Sequence, residues 1–120
     1  MPAGSNEKRD ITTIQDLEFL IRKFYDKLLV DEQIGHFFIK LNLEEHIPKV
    51  ASFWAFIALD SPGYKGNMME AHAKLELKTA DFERWLNLFH QTIHEYFTGE
   101  TADFIVQRSS LIAWTMQSKL

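Results

Sequence analysis

TTIQDLEFLIRKFYDKL, residues 12–28, is the stretch that sets the architecture. Ile14, Leu17, Ile21, Phe24 and Leu28 recur at steps of three and four, one apolar stripe of an amphipathic helix. Thr12 and Gln15 form a Thr-x-x-Gln capping box, which satisfies free backbone amides at a helix start. Tyr25 sits on the edge of the stripe beside Phe24, and Gly35 ends the pattern.

The same period repeats down the chain. A second helix is expected over 44–59, with Pro48 tolerable only near its first turn. On it His46, Val50, Phe53 and Ile57 share one face, so His46 lies on the apolar stripe. A third helix is expected over 80–97, with Thr79 as N-cap, acids Asp81 and Glu83 in the first turn, and Phe82, Trp85, Leu86, Phe89 and Ile93 as its stripe. Gly99 stops it. A fourth runs over 101–118, with Ala102, Ile105, Ser109, Ile112 and Met116 in register. Phe37 to Leu43 alternate as a strand would, but no partner strand exists, so they read as an irregular corner with a short helical turn. Residues 60–67 form a loop, and a short turn over Met68–Ala73 carries His72. Residues 1–10 read as a disordered tail and 11–120 as one all-α domain.

Composition narrows the function classes. With 120 residues a sizeable core is buried without metal staples. A net charge of −4 argues against nucleic acid, because phosphate binding needs a basic face. The absence of cysteine removes disulfides, thiolate catalysis, iron–sulfur clusters and cysteine zinc sites. No apolar run reaches the roughly 20 residues that span a bilayer, and the polar start MPAGSNEKRD lacks a signal-peptide core, so a cytoplasmic home is the default. Aromatics reach 13%, with 10 phenylalanines and 3 tryptophans. Such rings suit the wall of a large flat apolar ligand, and equally an aromatic-rich core.

Five histidines need sorting. His90 and His94 share a helix face, but zinc needs a third ligand, and a solvated face is the simpler account. His36 has no partner in view. No Glu-x-x-His exists for a di-iron bundle, and no phosphate loop or nucleophile elbow is present. His72 sits on a short turn between loops, a mount that lets its ring be aimed independently of the core; alone, it reads equally well as surface. Tyr25, His46 and Trp85 bring a phenol, an imidazole and an indole from three different helices, each a polar hydrogen on an apolar body.

In order, Phe24–Tyr25, Ile34–Gly35–His36–Phe37–Phe38, Glu44–Glu45–His46 with Phe53–Trp54, Tyr64–Lys65–Gly66 leading to His72, and Phe82–Glu83–Arg84–Trp85–Leu86 resemble the group III truncated haemoglobins of bacteria over about residues 10–118. The resemblance implies a two-over-two helical sandwich around haem b. His72 would be the iron ligand, and Tyr25, His46 and Trp85 the distal groups that stabilise a bound gas. Phe38, Val50, Phe53, Met69 and Phe82 would line the haem. It implies diatomic partners (O2, NO and CO), with NO dioxygenase or peroxidase-like turnover dependent on a separate reductase. A monomer or weak dimer is expected, and charge and hydropathy point to no nucleic-acid or membrane partner. Tyr64 and Lys65 are candidates for the haem propionates, against a solvated loop. The competing account is a haem-free helical interaction module, in which His72 is surface and the aromatics merely pack.

Overall fold

The structure is a computed structural model that describes residues 8–62 and 78–119. Met69, His72, Tyr64, Lys65 and the expected turn over Met68–Ala73 lie outside the described residues, as do residues 1–7.

Helix α1 spans Ile14–Leu28 and buries Leu17, Leu20, Ile21, Phe24, Tyr25 and Leu28. Its N-cap is Thr13 rather than Thr12, and the box partner is Asp16 rather than Gln15. Thr13 Oγ1 accepts from the Asp16 amide at 3.1 Å, and the Asp16 carboxylate accepts from the Thr12 and Thr13 amides at 2.9 and 3.2 Å. Arg9 closes on the same carboxylate. An ionised acceptor at a helix N-terminus, also paired with an arginine, outbids the neutral amide one residue earlier.

A 3-10 turn, Gly35–Phe37, follows. A Cβ on Gly35 would stand 2.9 Å from the carbonyl oxygens of Leu28 and Leu29, so only glycine lets the corner fold back on the end of α1. Helix α2 spans Leu43–Ala58 and starts at Asn42, whose Oδ1 accepts from the Glu44 amide at 3.1 Å. Pro48 lies inside α2, one residue deeper than expected, where its missing N–H denies the Glu44 carbonyl a helical donor. The buried face of α2 is Ile47, Ala51, Trp54 and Ala55; the expected stripe of His46, Val50, Phe53 and Ile57 is displaced by one residue and only half-buried.

Helix α3 spans Thr79–Tyr96 and is capped at Lys78 rather than Thr79, with the Lys78 amide donating to Asp81 Oδ2 at 3.0 Å. Helix α4 spans Glu100–Lys119. Gly99 joins them at φ 140°, a left-handed conformation that side chains rarely adopt. Among the described residues there is no strand, only an isolated bridge between Arg9 and Phe97.

Residues 8–10, placed in the tail by the sequence, are held against the body. The Thr98 amide donates to the Arg9 carbonyl at 3.1 Å. The Asp10 carboxylate caps α4 by accepting from the Thr101 and Ala102 amides, each at 2.9 Å. Helices α1 and α2 form one packed pair and α3 and α4 the other, with α1 against α3 and α2 against α4. The result is an all-α sandwich of two helix pairs, as expected, with Phe24 and Phe89 fully buried at its centre.

Candidate functional site

Where the two pairs meet, a cavity of about 40 Å³ remains. Helix α1 contributes Ile21, Phe24 and Tyr25; α2 contributes His46, Val50 and Trp54; α3 contributes Trp85 and Phe89; and α4 contributes Ile112 and Met116. The volume somewhat exceeds the roughly 30 Å³ share of one liquid water, so it suits one small molecule.

Its polar groups stand together. Tyr25 Oη lies 2.5 Å from His46 Nε2, with the rings edge to face at 5.2 Å. One of the two donates to the other, according to the imidazole tautomer. Tyr25 is 5% exposed, and burial pushes its phenol well above its ordinary pKa, so it remains a neutral O–H donor across the physiological range. Trp85 adds an indole, a donor-only group. Its ring meets Phe24 edge-on at 5.4 Å and stacks on Phe89 at 5.2 Å, which fixes its plane. Phe89 in turn stacks on Trp54 at 5.6 Å.

The three expected distal residues therefore converge on one cavity. Val50 lines it with them. Phe38 is buried just outside, edge-on to the Tyr25 ring at 6.1 Å. Phe53 is half-buried on the same face of α2 as His46 and packs edge-on to Trp54 at 5.2 Å. Phe82 is buried in a separate small cluster with Ala113 and Met116, and meets the cavity through Met116 and Ile112. Sequence reasoning missed Ile21, Phe24, Trp54, Phe89, Ile112 and Met116 as lining residues, although all but Trp54 stood in register on their helix stripes. His90, half-buried rather than on a solvated face, bonds Ser109 at 2.9 Å, and no metal-binding group of residues occurs among the described residues.

An apolar chamber whose wall includes a phenol, an imidazole and an indole can accept a small polarisable molecule and offer it hydrogen bonds. The half-buried strip of Val50, Phe53 and Ile57 on α2 leaves apolar surface for a flat group to cover.

No family model matches the chain. It is 30% identical over 108 residues to a group 3 truncated haemoglobin of Campylobacter jejuni, covering 84% of this chain and 85% of that protein. It is 29% identical over 98 residues to a group 1 truncated haemoglobin of Tetrahymena pyriformis, covering 81% and 79%. The crystal structure of a group III truncated haemoglobin from Campylobacter jejuni superposes with a TM-score of 0.83 at 27% identity, covering 95% of both chains.

Proposed function

The chain belongs to the group 3 truncated haemoglobins, and from that premise we propose that it holds haem b and binds O2, NO and CO reversibly beside Tyr25, His46 and Trp85. His72 is the proposed ligand to the iron, with Phe38, Val50, Phe53, Met69 and Phe82 against the ring. When bound, haem supplies an iron atom with one position open to a diatomic gas.

The residues fit that group. The observation that carries the reading is the convergence of Tyr25, His46 and Trp85 from three helices on one apolar cavity. A helical module without a ligand gains nothing from gathering three polar side chains there, since each polar group taken from water costs free energy unless it is bonded. The half-buried apolar strip on α2 supports the same reading, because it leaves a surface for the macrocycle.

The chain's own groups then divide the work. With Nε2 protonated, His46 donates to Tyr25 Oη and leaves the phenol proton free to turn toward a gas in the cavity. With Nε2 bare, the phenol proton is committed to His46 and the gas meets only Trp85. The tautomer of His46 thus selects how many donors the ligand meets. A cavity so rich in donors favours NO or peroxide chemistry, or sensing, over bulk storage. Turnover would draw electrons from a separate reductase.

The test is the visible spectrum of the purified protein before and after adding haemin, for wild type and His72→Ala. The expected result is a sharp Soret band that requires His72. Absence of haem uptake by the wild type would overturn the reading in favour of the haem-free interaction module.

A further inference from the structure

The corner between α1 and α2 is tied to α3 through one carboxylate. The Asp31 side chain is only 4% exposed and uses both oxygens. Oδ1 accepts from Arg84 Nε at 2.7 Å and stands 2.6 Å from the same guanidinium's terminal nitrogen. Oδ2 accepts from the Gln33 and Ile34 amides, each at 3.1 Å. Beside it, Gln33 Nε2 donates to the Ala80 carbonyl at 3.1 Å and to Asp81 Oδ1 at 3.3 Å. Arg84, and then the two backbone amides, hold the Asp31 carboxyl below the ordinary carboxylate range against the opposing effect of burial, so the pair stays charged.

Each end of this tie adjoins a wall of the cavity. On the corner side, the Gly35 amide donates to the Asp31 carbonyl at 3.0 Å, and the turn that follows delivers Phe38 to the Tyr25 ring. On the α3 side, Arg84 is the residue immediately before Trp85. Exposed ion pairs contribute little stability, but an arginine gripping a buried carboxylate at two nitrogens constrains geometry.

We propose that the Asp31–Arg84 pair is a positioning device: it sets the separation between the Tyr25–Phe38 wall and Trp85, and so the arrangement of donors around a gas ligand. The ligand part of this proposal rests on the haem reading above. A second ion pair, Lys27–Glu95, joins α1 itself to α3 but holds neither the corner nor the residue beside Trp85, which makes it the control.

The experiment compares Arg84→Leu and Lys27→Met in two forms of the protein. In the haem-free protein, the indole N–H resonance of Trp85, assigned by its loss in Trp85→Phe, is expected to shift or broaden in Arg84→Leu and to stay in place in Lys27→Met, while Trp114 on the outer face of α4 is unmoved in both. In the haem-loaded protein, Arg84→Leu is expected to change the O2 dissociation rate at least fivefold. Combined with Tyr25→Phe, it should fall short of the product of the two single effects, as groups acting through one another do. Asp31→Asn, which keeps the shape and removes the charge, is the second variant should Arg84→Leu fail to fold, and should give the same result. A folded variant with the wild-type Trp85 resonance and O2 rate overturns the positioning role, even where Tyr25→Phe alone still changes the rate. If the wild type takes up no haem, the haem reading falls, and the Trp85 resonance still decides whether the pair positions the wall.

Discussion

The strap at residues 8–16 and the cavity around Tyr25 both set polar atoms against one core, but they satisfy them in opposite ways. In the strap, Asp10 accepts from the Ile11, Thr101 and Ala102 amides, and Asp16 from Thr12, Thr13 and Arg9. Those carboxylates are saturated by backbone groups and by one another's neighbours, and they offer nothing to a ligand. In the cavity, Tyr25 and His46 bond each other side chain to side chain, and the rest of the wall is aromatic or aliphatic. A bond between two side chains can be exchanged for a bond to a guest; a helix cap cannot be without unravelling a helix. The strap therefore serves stability and the cavity serves binding, and substitutions should separate the two.

The largest expected effect is in the strap. In Gly99→Ala the new Cβ would land on the Asp10 carboxylate, at a φ that L side chains rarely adopt. Left-handed strain and a lost helix cap together should cost about 2–4 kcal/mol in urea unfolding. The O2 dissociation rate of the haem-loaded protein should stay within twofold of wild type; a larger change would show the two regions to be coupled. Next comes Tyr25→Phe, which inverts the pattern. A hydrogen bond to a charged acceptor contributes roughly 1.5–3 kcal/mol, so stopped-flow O2 release should change by about one to two decades. Unfolding stability should move by only about 1 kcal/mol.

The smallest effect concerns His90, a polar group at the α3–α4 interface that belongs to neither region. Ser109 Oγ donates its one hydrogen to the Val106 carbonyl, so His90 Nε2 must donate to Ser109. Burial, and then the neighbouring His94, lower the His90 pKa. The unfolded chain thus takes up a proton at a higher pH than the folded one, and stability falls as pH drops through the ordinary histidine value. Unfolding curves should show a shallow decline between about pH 7.5 and 5.5 that is flatter in His90→Gln.

Much of this was legible from residue order, and the misses share a cause. The α1 stripe needed only spacing, and Leu17, Ile21, Phe24 and Leu28 are all buried as that spacing predicts. The capping box slipped by one residue because two threonines stand in succession, and only Arg9, distant in pattern but near in space, selects Asp16 over Gln15. On α2 the stripe slipped because Ala51 and Ala55 carry little hydrophobic weight in a sequence pattern, yet their small size allows close approach and full burial. The bulkier residues of the expected stripe were left half-covered, and two of them, His46 and Val50, line the cavity. Tyr25, His46 and Trp85 came from family resemblance, since spacing within a helix cannot tell which faces of different helices meet. Asp31 and Arg84 were invisible for the same reason: 53 residues separate a turn acid from a helix cation.

The cap that Asp10 places on α4 spans 91 and 92 residues of sequence. Bringing such distant segments together costs chain entropy before any bond repays it, so contacts of this reach form late on the path to the native state. An interaction absent from the transition state slows escape from the folded basin without hastening arrival. The N-terminal strap is in that sense a clasp on the finished fold: it governs how long the globin persists once made, and leaves the rate of its making to the helices it encloses.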